Sequence, residues 1–518
     1  MPTTYLTTDT ELASIADAIR TKGGTSAALT YPTGFISAIN NISGGNTDVE
    51  DSMVTRTISG TYENSRVSYV GRYAFCQCDS LTTASFPLVT TIDSSAFYNC
   101  TSLTTVSFPS ATIIGDYAFY RCISLTTASF PNVTTLNQYA FAYCSSLTTA
   151  SFPKAPTVGN SAFVNCSSLT TISFPSATTI GISAFYNCSN LTTASFPLVT
   201  TIDGNAFFNC SSLTTVSFPS ATIIGTSAFY NCSNLTTASF PKATSVGAYA
   251  FYNCSNLTTA SFPLVTAIPN AVFQTCSSLT VTSFPLVTTV GTSAFQYCSG
   301  LSTISFPSAT TVGTSAFAYC TGLTTISFPS ATTIESYAFY SCTSLTTASF
   351  PNVTTLNQHA FAYCTSLTTA SFPKVTALNQ YAFGYCENLT TISFPLATSI
   401  YSYAFVACSN ITNINFPSAT DIYSYAFQSC NSLTIASFPK ATKIGNYAFR
   451  SCYNLISLYL SGTAVVTISG SSAFYSTPIG GYTTSAGRYG SVYVPTSLLT
   501  SYKAARYWSL ISARIVGY

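Results

Sequence analysis

Eighteen of the nineteen cysteines fall on a grid with a step of 22 residues: Cys78, Cys100, Cys122, Cys144, Cys166, Cys188, and onward without a gap to Cys452. Only Cys76 is off the grid. Thiols in such a row could hold a soft metal, or oxidise in pairs if successive turns lie one strand spacing apart. Both chemistries need convergence. Zinc wants four ligands around one point, and a disulfide wants a torsion that side chains pointing the same way do not offer. The grid therefore reads as a ladder of small buried hydrophobes, each thiol donating weakly to a nearby carbonyl. No metal and no cofactor is expected, and whether any cysteines pair is left open.

The rest of the catalytic inventory is thin. One histidine, His359, serves the whole chain, and it stands where other repeats carry Tyr139, Tyr381, Tyr403 or Tyr425. It reads as a surface variant rather than a general base. Glu335 and Glu387 lie 52 residues apart, so no carboxylate pair of the glycosidase kind stands out. No glycine-rich phosphate loop is present, and no enzyme is expected. Aromatic residues are the stronger candidates. Six consecutive repeats place Tyr337, His359, Tyr381, Tyr403, Tyr425 and Tyr447 seventeen positions after a cysteine, with Tyr401 and Tyr423 two residues before Tyr403 and Tyr425. Tyr143, Tyr297, Tyr319, Tyr363 and Tyr385 each directly precede a cysteine. Tyrosine offers an apolar ring and a polar tip at low entropic cost. A row of rings could stack on sugars or dock a protein; the competing reading is that the rings only pack on one another.

What positions these residues is the repeat itself, C-x-S-L-T-T-(A/V/I)-S-F-P-x-(A/V)-T-x-(I/V/L)-x-x-x-A-F-x-x-C. In one turn Leu103, Val106 and Phe108 give an L-x-x-L-x-L pattern. Val106 and Phe108 alternate with Thr105 and Ser107, which is strand periodicity, and Pro109 ends the strand. Ala111 and Ile114 point inward on the next segment. Ala118, Phe119 and Cys122 form a return turn, expected to be short helix or 3-10. One such turn cannot bury its apolar residues, whereas stacked turns bury them on each other. Larger blocks also recur: residues 128–153 return almost unchanged at 348–373, and 88–100 return at 198–210.

Composition narrows the partners. Charged residues make up 6% of the chain, against about 25% in a typical domain. Between Ala155 and Ile334 the charges are Asp203 and Lys242. With a net charge of +2 and no basic stripe, nucleic acid is not an expected partner. Thr and Ser interrupt every apolar stretch, so membrane insertion is not expected either. The first residues show no basic region followed by an apolar one, which argues against a secretory leader. Asn-Cys-Ser triplets such as 165–167 match the glycosylation pattern, and without a leader they read as coincidental.

The run from Ile180-Gly181 to Pro197, I-G-x-x-A-F-x-x-C-x-x-L-x-x-(A/V/I)-x-x-P, resembles the BspA-like family of bacterial leucine-rich repeats, from about Val70 to Ser461. The resemblance implies a repeat solenoid of about eighteen turns, with one parallel β-sheet face and short helical, 3-10 or irregular return segments, often used for adhesion. Before it, residues 8–22 read as a helix with Leu12, Ile15, Ala16 and Ile19 on one stripe, followed by a second helix after Pro32 and a strand from Met53 to Ile58. Residues 8–35 are similar to an N-terminal module of tail-associated proteins from phages and prophages of Gram-positive gut bacteria. After Cys452 the grid is lost. A strand at Ser491–Pro495, a short helix over 496–506 and Trp508 resemble the C-terminal cap of BspA-like solenoids.

The expected organisation is an attachment module at 1–45, a linker and cap strand at 46–73, the solenoid at 74–461 and a cap at 462–518. The expected role is non-enzymatic binding. One version is a virion tail-associated receptor-binding protein, held to tail or baseplate proteins by the N-terminal module. The alternative is a BspA-like adhesin at the bacterial cell surface. The partner in either case is a surface glycan or protein, and self-association is left open.

Overall fold

A computed structural model describes residues 58–518. The expected attachment module at 1–45, and the strand from Met53 as far as residue 57, lie outside the described residues. The chain divides into two compact units, Met1–Cys254 and Ser255–Tyr518. The described residues of each form a parallel-strand solenoid of 22-residue turns.

Each turn carries two short strands. The first has three residues, as in Thr193–Ser195, and pairs in parallel and in register with Thr215–Ser217 of the next turn. It ends one residue before the Phe-Pro pair, as the proline requires. The second has two residues, as in Thr179–Ile180, which pairs with Thr201–Ile202. Its buried residue is the (I/V/L) position of the repeat, and the Thr before it faces outward.

The return segment is neither α-helix nor 3-10. It is a run of tight turns whose N–H groups alternate between two acceptors. Ala96, Tyr98 and Cys100 donate within their own turn, to Asp93, Ser95 and Phe97. Ser95, Phe97 and Asn99 donate to Asp116, Ala118 and Tyr120 of the next turn, at 2.8, 2.7 and 2.7 Å. The alternation requires a left-handed backbone at two places in each turn, such as Ser95 (φ 58°) and Asn99 (φ 59°). A non-glycine residue there costs about 1–2 kcal/mol. At most of these positions the backbone donor finds a carbonyl on the neighbouring turn, as at Ser95, Asn99 and Ser183, and satisfying buried backbone donors outweighs that cost.

Two columns of phenylalanine fill the interior. In the first unit Phe185, Phe207 and Phe229 stack with centroids 5.2 Å apart and planes nearly parallel. Phe196 and Phe218 form the second column at 5.5 Å, meeting the first edge-on. Leu, Ala, Cys and the branched residue of each turn complete the core, and essentially all of these are fully buried.

The three-residue strand column is interrupted at regular places. The Phe N–H that reaches the Ser carbonyl of the next turn is present at Phe130, Phe152 and Phe196 but absent at Phe108, Phe174 and Phe218. At these seams the phenylalanine stack widens to 6.2, 6.1 and 6.0 Å. Val106, Ile172 and Val216, just before the seams, are partly exposed, whereas Ala128, Ala150 and Ala194 are buried. In the second unit the same bond is absent at Phe284, Phe328 and Phe394. Within each unit the seams are 44 or 66 residues apart, two or three turns.

The described N-terminal end opens with the strand Gly60–Glu63, paired to Leu81–Ser85. At the C-terminal end Ser491–Val494 extends the strand column from Ser457–Tyr459, and Ile515–Gly517 adds the last strand. Between them lie a 3-10 turn, Thr496–Leu498, and a short helix, Leu499–Ala504. Trp508 is fully buried, donates to the Val466 carbonyl at 2.7 Å and meets Tyr502 edge-on at 5.3 Å. Trp508 therefore lies against the segment that follows the last cysteine of the grid.

Candidate binding surfaces

The cysteine ladder is sealed. The grid cysteines are fully buried, and nearly all of them donate to the carbonyl of a phenylalanine 25 residues earlier. Cys122, Cys144, Cys166 and Cys188 reach Phe97, Phe119, Phe141 and Phe163 at 3.1–3.2 Å, and Cys100 reaches Phe75 at 2.9 Å. Cys78 is buried as well. Burial pushes the thiols up, Cys166 to about 12, so the nucleophilic thiolate is suppressed. Each of these thiols adds a second donor to a phenylalanine carbonyl of the preceding turn, which already accepts that turn's own cysteine N–H, as Phe97 does from Cys100. Among the described residues no group of three or more His, Cys, Asp or Glu converges as a metal site.

The tyrosine row does come together. Tyr337, His359, Tyr381, Tyr403, Tyr425 and Tyr447 form one continuous stack, with centroids 4.5, 4.7, 4.7, 4.8 and 5.1 Å apart. Tyr401 and Tyr423 form a second, shorter stack at 4.7 Å. All eight side chains are half-buried. The stacking answers part of the question the row raised: the faces of the inner rings are covered by their neighbours, so a sugar cannot lie on them. What the stack offers a partner is its edge and its hydroxyls. Burial raises the pKa of Tyr381, Tyr403 and Tyr423, and the adjoining phenols add to it. Burial lowers that of His359, whose Nδ1 is buried without a hydrogen-bond partner. The imidazole is thus held neutral between two phenols, as a spacer in a stack.

The six residues of the main stack are also one set of left-handed positions, with φ between 54° and 64°. The second set is the residue before each cysteine. There the first unit holds an arrangement that the triplet pattern signalled only as a modification motif. Asn165, Asn187, Asn209, Asn231 and Asn253 stand in successive turns, all with positive φ. From Asn187 onward each Nδ2 donates to the Oδ1 of the turn before, at 2.8, 2.9, 2.8 and 2.9 Å. The serines from Ser167 to Ser233, two residues further on, run alongside. Together they line an open groove of about 790 Å³, with Tyr143 at one end. Asparagine is at home there because its short amide tolerates the left-handed region, which was the available signal.

Threonine builds a further surface. The hydroxyls of Thr126, Thr148 and Thr170 each donate to the carbonyl 22 residues earlier, the same carbonyl that accepts their own N–H. A second column does the same at Thr200, Thr222 and Thr244.

The family model described as "BspA type Leucine rich repeat region (6 copies)" matches residues 68–192, 156–280, 266–390 and 376–486. No curated protein matches the chain. Among solved structures, a leucine-rich repeat protein from Bacteroides ovatus is 21% identical, covering 78% of this chain and 89% of that one, with a TM-score of 0.40. A leucine rich cell surface protein from Faecalibacterium prausnitzii is 25% identical, covering 64% and 83%, with a TM-score of 0.31. The leucine-rich repeat protein of T. pallidum is 24% identical, covering 34% and 77%, with a TM-score of 0.26. The match of the family model over most of its length shows that this chain belongs to the BspA-type leucine-rich-repeat family.

Proposed function

We propose that this chain is a non-enzymatic binding protein that acts as an adhesin at a bacterial surface. The observation that carries the reading is the repetition of like side chains in accessible columns: half-buried tyrosine edges from Tyr337 to Tyr447, and amides from Asn165 to Asn253. Such columns present one functional group many times in register, which suits an extended partner better than a small substrate. Membership of the BspA-type family supports adhesion. The tail-associated reading rests on residues 8–35, which precede the family match and lie outside the described residues; the family match favours its alternative, the adhesin. With few charges available, binding is carried by hydrogen bonds and apolar edges.

The test is retention of the purified full chain on intact bacterial and host cells and on immobilised matrix proteins, across a salt series. Retention that changes little with ionic strength is expected, because there is little charge to screen. Absence of retention on every surface, or its collapse at moderate salt, refutes the proposal.

A further inference from the structure

We infer that the Asn–Ser groove of the first unit binds a neutral linear polysaccharide, one sugar ring per turn. The inference rests on the binding-protein reading above and assigns it a ligand class and a place.

The backbone does not by itself demand asparagine before the cysteine. The same left-handed position holds Gln77, Arg121, Tyr143, Thr275 and Tyr297 in other turns. Five asparagines in succession therefore serve something that requires the same group five times. The ladder uses one N–H and one carbonyl lone pair of each amide. An amide has two of each, so Asn187, Asn209 and Asn231 each keep a donor and an acceptor beside the groove. Ser189 and Ser211 spend their protons on the carbonyls of the preceding turn, leaving their oxygens to accept. Each turn thus presents a neutral donor with acceptors, the complement of a ring bearing hydroxyls.

Spacing selects among polymers. The rings beside the amides, Tyr186, Phe208, Tyr230 and Tyr252, are 4.7, 4.5 and 4.5 Å apart. A six-membered sugar ring advances its chain by a similar length. An extended peptide advances about 3.3 Å per residue and falls out of step within two turns. Charge selects too: Asp203 and Lys242 are the charges between Ala155 and Ile334, so nothing favours a polyanion. Tyr143, 42% exposed, closes one end of the groove with an aromatic ring.

The experiment is calorimetric titration of the full chain with α-1,4-, β-1,4- and β-1,3-linked glucose oligomers of two to eight units. For at least one linkage, affinity should strengthen with each added unit up to about five and then level off. Asn209→Ser keeps a residue that holds the left-handed backbone at Ser341 and Ser429. It should weaken the longest oligomer about tenfold, the loss of one to two hydrogen bonds, with the melting temperature lowered only by the two ladder bonds the substitution removes. Asn187→Ser serves as the second variant if the first alters folding. Equal affinity for disaccharide and hexamer, or no effect of either variant, overturns the inference. No oligomer bound while cells are still retained overturns it and leaves the adhesin reading standing; loss of both sinks both.

Discussion

Native thiol labelling tests the packing of the solenoid directly. An unperturbed thiol with a pKa of 9.0 is about one-tenth ionised at pH 8, whereas Cys166, Cys320 and Cys364, pushed up to about 12, are ionised to about one part in ten thousand. Ionisation alone therefore slows alkylation about a thousandfold. These thiols also have no exposed surface, so the reagent must wait for a turn to open. The protein, incubated with iodoacetamide at pH 8, should gain label at the half-buried Cys76 first, read by intact-mass spectrometry. The grid thiols should remain unlabelled over the same period, and all nineteen should react once guanidinium unfolds the chain without reductant. Labelling of Cys166 or Cys320 within tenfold of the rate at Cys76 would refute the sealed ladder. Fewer than nineteen reactive thiols after unfolding would show that some had been paired.

Three further outcomes follow from the same geometry. Cys166, Cys320 and Cys364 have folded pKa values above their unfolded value of 9.0, so their contribution is complete below pH 9 and lost as pH rises toward about 12; each ionising thiol removes about 1.4 kcal/mol per pH unit, melting temperature should fall across that window, and Cys166→Ala should flatten the slope by one proton. Phe207→Ala removes a ring stacked between Phe185 and Phe229 and should cost about 3–5 kcal/mol in denaturant titration; a loss under 1 kcal/mol would contradict a close-packed column. Ser183 has φ 55° and donates to Gly204; Ser183→Gly should change stability by less than about 1 kcal/mol, whereas Ser183→Val should cost about 1–3 kcal/mol, and equal effects would argue against the left-handed assignment.

Much of the fold was legible because the cysteine grid fixes register. Once Cys100 and Cys122 are known to be equivalent, Phe97 must stack on Phe119 and Leu103 on Leu125. The cap at Trp508 was legible from the loss of the grid. The return segment was not, because its two left-handed positions hold chemically unlike residues and no glycine: Tyr337, Ser183, Asn99, Ala271, His359. Their conformation is imposed by hydrogen bonds to the next turn, a tertiary cause that local propensity does not carry. The tyrosine row was legible as positions, with packing of the rings on one another as one of two readings. Whether a ring faces outward or covers its neighbour depends on side-chain torsions that spacing does not specify. The amide ladder was visible as a repeated triplet, and only the shared backbone geometry turned it into a surface.

The seams at Phe108, Phe174 and Phe218, and at Phe284, Phe328 and Phe394, bear on mechanics. Where the Phe–Ser bond is missing, the first strand column of adjoining turns is held by fewer backbone bonds, while the return segments and cysteines still connect them. Under load such a joint yields before its neighbours, so strain applied along the stack collects at the seams and spares the turns between. Compliance is then set by how many blocks the gene contains. Copying one block adds reach and one more soft joint without altering the stiffness of any existing segment.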